Sequence, residues 1–155
     1  MAPTLTQPKI RFPRKAALLV AKELVRAIEP YCERLIVAGS LRRRKAVVGD
    51  IEIVYIPRFE QSLTVKQGDL LAAPDKTFVN VADEQLEHIL GAMIIEKRTN
   101  SLDSEIWGPK NKLARHVASG IPVDFFSTTD KAWWSYLVCR TGGTPSRASG
   151  RFSSS

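Results

Sequence analysis

The chain has little of what several protein classes require. Of its 155 residues only Cys32 and Cys139 are cysteines, isolated and far apart, so neither a disulfide scaffold nor a zinc site is indicated. The two histidines, His88 and His116, match no metal-ligand spacing and read as structural or surface residues. No Ser-His-Asp or Cys-His set can be assembled from what remains. Apolar runs are short, AALLVA being among the longest, far below the length of a membrane span. The opening MAPTLTQPKIRFPRK holds no apolar stretch of the kind a signal peptide needs. A cytoplasmic, reducing setting with no membrane partner is the expectation. Acidic residues are also in deficit, 16 Asp and Glu against 23 Lys and Arg, for a formal net charge of +7. That excess favours a polyanionic partner such as a nucleotide, nucleic acid or acidic membrane surface without choosing among them.

What is present suits one domain. The composition, 44% hydrophobic and 25% charged, is that of a soluble globular chain long enough to bury a sizeable core. Leu18, Ala21, Val25 and Ile28 recur at helical spacing between Pro13 and Glu29, and Pro30 ends the pattern. RLIVA, from Arg34 to Ala38, predicts a short buried strand that runs into Gly39-Ser40 and a helical turn over Ser40–Lys45. Asp50 to Ile56 predicts a second strand. Phe59 to Val81 shows no clear period and reads as mostly loop, after which Leu86, Ile89, Leu90 and Met93 predict a helix over Asp83–Ile95. Leu113–Val117 and Ile121–Phe126 flank Ala118-Ser119-Gly120 as a β-hairpin, and a last helix is expected over about Thr129–Arg140. Residues 1–12 are expected to form a flexible arm and 143–155, rich in Gly and Ser, a disordered tail. No internal repeat is evident.

The chemistry concentrates in VAGSLRRRKAVVGDIEIVYIP, residues 37–57. Asp50 and Glu52 stand two apart on a strand, so both side chains leave one face while Ile51 and Ile53 take the other. Alone, such a pair also fits an edge strand with two solvated acids. Carboxylates held together repel, and a divalent cation with phosphate oxygens answers that repulsion. Upstream, Gly39 permits close backbone approach, Ser40 offers a hydroxyl, and Arg42, Arg43 and Arg44 can grip phosphate oxygens. The chain must reverse between Ala38 and Asp50, which sets the basic loop beside the acids. The loop then suits a triphosphate tail, and the acids suit its metal.

GSLRRR followed by VGDIEIV resembles the nucleotidyltransferase signature of the polymerase beta superfamily, a Gly-Ser and arginine followed by Gly-Asp-x-Asp/Glu. The flanking LIVA and IVYIP make it similar to family X DNA polymerases in a small phage or bacterial form. IPVDFFS offers the third carboxylate of that family at Asp124, and RTGG resembles its Thr-Gly turn. The resemblance spans about residues 30–58 and 108–143. It implies an α/β (α+β) palm, a small mixed sheet carrying three carboxylates with helices on one face, occupying residues 13–142. It implies two Mg²⁺ ions, with Mn²⁺ as a substitute, held by Asp50, Glu52 and Asp124 as the catalytic residues. Gly39, Ser40, Arg43 and Gly49 would contact the triphosphate, and Thr141 and Gly142 the sugar. The implied activity transfers a nucleoside monophosphate from a nucleoside triphosphate to a 3′-hydroxyl, with a DNA primer and template as partners. A template-independent transferase acting on RNA, protein or a small molecule would share the signature. So would a non-catalytic module that binds nucleotide or nucleic acid.

This sequence departs from the family pattern in four places. Glu52 stands where aspartate is usual, Val48 replaces a frequent serine, and Cys139-Arg140 replaces an aromatic pair before Thr-Gly. After Gly142 nothing in the chain could form a thumb domain. If active as it stands, the chain is therefore expected to bind DNA weakly and to discriminate poorly among bases. Lys110, Lys112 and Arg115, near the hairpin, either form a solvated face or contact nucleic-acid phosphates. Of Trp133 and Trp134, one is expected in the core and the other partly exposed.

Overall fold

The computed structural model describes residues 10–42, 44, 46–64, 68 and 73–135. The expected tail over 143–155 and the end of the helix expected to reach Arg140 lie outside them. The chain opens with β1 (Phe12–Pro13) and enters α1 (Arg14–Ile28), with Pro13 in extended conformation at its N-cap. Proline at a helix start sacrifices no intrahelical bond, because its missing N–H would have had no partner there. Ala17, Val20, Ala21, Leu24 and Ile28 form the buried stripe; Ala21 and Ile28 lie on it as the spacing suggested, while Leu24 and Ala17 take the places expected of Val25 and Leu18. A 3₁₀ turn at Glu29–Tyr31, containing Pro30, stops the helix and leads into β2 (Cys32–Ala38). Then come the single turn α2 (Gly39–Arg42), β3 (Val47–Val48) and β4 (Ile51–Pro57).

β1 and β3 pair antiparallel, Phe12 opposite Val48, and Arg14 N–H donates to the Ala46 carbonyl. The arm expected over 1–12 is thus tied down at its last residue.

Two departures follow β4. Phe59–Thr64 and Asp75–Asn80, read as loop, are the strands β5 and β6 of a separate antiparallel ribbon. The next helix, α3, runs over Val81–Gly91 instead of Asp83–Ile95. Asn80 caps it, accepting a hydrogen bond from Asp83 N–H through its side chain at 2.9 Å. Met93 adopts a φ of +63°, which breaks the helical path, and Ile95 begins a strand, β7 (Ile95–Lys97). The apolar pair Ile94-Ile95 continues the helical period in the sequence but belongs to the turn and strand.

The hairpin is present and longer than expected: β8 (Asn111–His116) and β9 (Pro122–Ser127) pair antiparallel around Gly120, whose φ is +76°.

The main sheet has five strands in the order β2-β4-β9-β8-β7. β4 and β9 are parallel; the other neighbours are antiparallel, so the sheet is mixed. The fold is therefore mixed α/β, with α1 and α3 covering one face. Ile51, Ile53 and Tyr55 of β4 and Val123 and Phe125 of β9 pack there against Ala17, Leu24, Ile28, Leu86 and Ile89. Burying each large apolar side chain contributes roughly 1.5–3 kcal/mol, which fixes the register of both strands because a one-residue slip would expose the whole set. The opposite face carries a smaller cluster: Ala38, Val54, Ile56, Phe126 and Trp133. Trp133 is buried and Trp134 exposed, as the sequence suggested for one of each. Among the described residues no helix is long and apolar enough to cross a membrane.

Candidate metal centre on the open face of the sheet

The register that buries Ile51 and Ile53 forces Glu52 to the other side. In the parallel pair Glu52 lies directly opposite Asp124, and Val123 and Phe125 force Asp124 outward in the same way. Asp50 stands just before β4. One carboxylate oxygen from each of Asp50, Glu52 and Asp124 lies within 4.8 Å of the others. Asp124 is buried, and Asp50 and Glu52 are half-buried. The structure thus brings together the three acids singled out from the sequence, on the sheet face opposite α1 and α3.

Gly39 explains how Glu52 reaches the cluster. Ala38 pairs with Glu52 across β2 and β4, and the next residue, Gly39, turns out of the strand with φ +74°. A Cβ built on Gly39 would lie 2.8 Å from Glu52 Oε2 and 3.0 Å from its Cδ. The carboxylate therefore occupies the space that any side chain at position 39 would fill. Both the φ and the close approach favour glycine. By contrast, a Cβ at Gly49 meets nothing within 4 Å, so packing imposes no glycine there. Ser40 is the second residue of α2. The turn is held from below by Arg14, whose guanidinium donates to the Leu41 carbonyl at 2.5 Å. Arg43, Thr141 and Gly142 lie outside the described residues.

One partner of the site was missed. Arg98, just after β7, donates from its guanidinium to Asp124 Oδ1 in an ion pair, and its Nε donates to the Ala114 carbonyl at 3.1 Å. This second bond aims the guanidinium at Asp124. The residues around Arg98 form no motif, and the contact reaches across β8 to β9, so no local signal could have revealed it.

Lys112 requires a correction. Alternation along β8 turns Lys112, Ala114 and His116 toward the helices. Lys112 is only 4% exposed; its Nζ donates to the Gly108 carbonyl at 2.8 Å, pairs with Asp83 at 3.3 Å and lies 5.9 Å from the Trp107 ring centroid. It is on the wrong side of the sheet to meet a phosphate near the acids. Arg115 does face the open side but pairs with Glu96 at 3.6 Å, while Lys110 is exposed at the start of the hairpin. His116 is buried between Ser119 at 2.8 Å and Glu23 at 3.2 Å, a structural role as expected, and His88 is exposed.

An all-oxygen donor set suits a hard divalent cation such as Mg²⁺. Three carboxylates this close repel one another unless cations answer them, and Arg98 supplies one positive charge to the cluster. Gly39 keeps clear the space that Glu52 needs. On donor chemistry and spacing, the residues fit a metal. No protein-family model matches the chain, and no curated protein matches it.

Proposed function

We propose that the chain is a metal-dependent nucleotidyltransferase, a minimal palm related to family X DNA polymerases. It would transfer a nucleoside monophosphate from a nucleoside triphosphate to a 3′-hydroxyl. The observation that carries this reading is the convergence of Asp50, Glu52 and Asp124 within 4.8 Å, immediately beside the Gly39 turn. An acidic cluster alone would be a weak argument. Its position next to a glycine turn followed by arginines gives a polyphosphate and its cations adjoining places to sit.

Asp50, Glu52 and Asp124 would hold the two Mg²⁺ ions that the resemblance implies, and ions held there would supply positive charge to the phosphates and the attacking oxygen. The Gly39–Arg42 turn and the arginines that follow it take the β- and γ-phosphates. Asp124 would face the acceptor and take the proton of the 3′-hydroxyl as the new bond to the α-phosphorus forms. The bond from that phosphorus to the β-phosphate oxygen breaks, and pyrophosphate leaves. Arg98 acts through Asp124 as a positioning residue, fixing which way the carboxylate points.

Incorporation of labelled nucleotide into a DNA primer, with and without template and with Mg²⁺ or Mn²⁺, tests the reading. Metal-dependent extension with release of pyrophosphate is expected. Binding of metal and triphosphate without any transfer, to DNA or RNA acceptors, would sink it in favour of a binding module.

A further inference from the structure

β2 is an edge of the five-stranded sheet, and no described strand pairs with its outer side. In an antiparallel pair every second residue aims its N–H and C=O away from the partner, so that side offers a row of donors and acceptors. Short length, charge and proline are what usually keep such an edge from pairing. The opposite edge, β7, has two of these, with three residues of which Glu96 and Lys97 are charged. β2 has seven residues, its bulge is confined to Cys32–Arg34, and the rest of the strand, LIVA, holds neither charge nor proline. Between α1 and the end of β2 lies a hollow of about 520 Å³. Leu18 and Val25 of α1, expected in the core, are only half-buried and form its apolar floor with Val37 of β2 and Leu41 of α2. Arg14, Lys22 and Arg26 form its rim.

The charge of this hollow has one sign, since no described residue lining it is an acid. Glu23 of α1 turns instead to His116 at 3.2 Å, and Glu33 of β2 lines a separate hollow with Ile56 and Thr128. Glu29 stands in the 3₁₀ turn beyond α1 and is not among the walls. Residues 1–9 and 136–155 contain no Asp or Glu, and Arg42, Arg43 and Lys45, which follow Leu41 in the chain, are basic. The matching acids must come from another molecule, and a second copy would set one +7 chain against another. A nucleic acid would meet the rim but leave the row of backbone donors and acceptors unpaired, whereas a polypeptide matches both. Spacing fits as well. Arg14, Leu18, Lys22 and Arg26 succeed one another every four residues of α1, about 6 Å apart along its axis. Side chains on one face of a strand recur at about 6.6–6.8 Å. A strand laid against β2 would thus set alternate side chains opposite those four in turn, which calls for acid, apolar, acid, acid.

We propose that the β2 edge and the hollow beside α1 together dock an extended acidic peptide of a partner protein. The peptide adds a strand to the sheet and seats its alternate side chains under α1, between the apolar floor and the basic rim. Backbone pairing supplies the affinity, and Arg14, Lys22 and Arg26 select acidic sequences. The site lies on the helix side of the sheet, away from the three carboxylates, and it does not depend on the proposed reaction.

The test is fluorescence anisotropy of the whole chain with a fluorescein-labelled peptide of seven residues. The peptide carries glutamate at its first, fifth and seventh positions, valine at the third and threonine between them. The same sequence in reverse order is the second probe, because a strand can add in either direction. One of the two is expected to bind, and glutamine in place of its glutamates should weaken binding about tenfold. Lys22→Glu and Arg26→Glu should each weaken it about fivefold, and a peptide with lysine for glutamate should recover binding to the double variant. Methyl groups on alternate backbone nitrogens of the peptide block one of its edges. Blocking one set should abolish binding, and blocking the other should change it by less than about twofold. Circular dichroism checks that each variant is folded. Failure of both peptides to bind the folded wild type overturns the proposal. So does binding that both methylated sets weaken, or that neither does, since the edge is then not paired. Binding of fluorescein-labelled dT12 that the double variant loses, without peptide binding, overturns it in favour of a nucleic-acid contact. A dimer in sedimentation that the double variant dissociates, without peptide binding, overturns it in favour of a contact between copies. Asp50→Asn should bind the peptide as wild type does, so failure of the proposed reaction and failure of this site are read separately.

Discussion

The two faces of the five-stranded sheet both carry charge, and they use it differently. On the helix face, Lys112 and Asp83 pair under α3, Tyr55 donates to Asp83 at 2.9 Å, and His116 meets Glu23 of α1. Each of these groups has its partner on a packed helix or turn, and the result is rigidity. On the open face, Asp50, Glu52 and Asp124 converge, and the described cation among them is Arg98. Arg98 brings positive charge to three closely held acids, and a divalent cation would add to it. The same strands supply both faces by simple alternation, so the chemistry of a polar residue here is set by what covers it.

Substitutions can break this contrast or sharpen it. Asp50→Asn should lower nucleotide transfer by at least about a thousandfold, as expected when a group that organises the reacting charges is lost. Its melting temperature should stay the same or rise, because one like charge leaves the cluster. A folded, fully active Asp50→Asn protein would remove the open face from the mechanism.

Arg98→Ala should cost about 2–4 kcal/mol of stability without metal, since Asp124 keeps its largely buried charge and loses the Arg98 guanidinium. Added Mg²⁺ should then raise the melting temperature more than it does for wild type, because a ligand that binds only the folded state stabilises it. Equal metal responses would mean that Arg98 and the cation do not share Asp124.

Gly39→Ala should cost about 1–2 kcal/mol from the positive φ alone. The new methyl would push aside Glu52, a flexible side chain, so calorimetry should show a larger loss in metal affinity than in fold stability. Lys112→Met should cost about 1–2 kcal/mol by leaving Asp83 short of one partner. Its transfer rate should be unchanged, and a lost rate in a stable protein would contradict the division between faces.

The last effect, confined to alkaline pH, is a pH dependence. Burial, outweighing the opposing influence of Arg58, pushes the Cys32 thiol up from 9.0 to about 12, and Tyr55 is raised above its ordinary value by burial and by Asp83. Both groups are held protonated more firmly in the folded state than in the unfolded one. The stability this adds is complete below pH 9 and should be lost progressively between pH 9 and 12 in denaturant melts. A thiol reagent at pH 8 should leave Cys32 unmodified until the protein unfolds.

The sequence made some of this legible. β4 and β9 could be read because a buried strand of Ile, Val and Phe gives away its register, and the register alone turns Glu52 and Asp124 to one face. α1 could be read from its stripe and its prolines, although the buried side lies one step away from Leu18 and Val25. The ribbon could not be read. FEQSLT and DKTFVN bury no face against the core, so the alternation that marks a half-buried strand is missing, and Gly68 and Pro74 suggested loop. Asn80 looked like part of that loop when it was the cap of α3. Arg98 and Lys112 have roles set by tertiary neighbours: one lies across two strands from its acid, and the other is turned beneath a helix by strand parity.

The placement of β9 bears on how the protein is made. Among the described residues it is the last strand of the sheet in chain order, yet it sits at the centre, between β4 and β8, and forms the sheet's parallel pairing. Glu52 meets Asp124 only where Pro122–Ser127 lies beside β4, and so distant a pairing in sequence is of the kind that closes late and slowly. The three carboxylates therefore cannot converge in a partly folded chain, and any cation they hold must wait until β9 has entered the sheet.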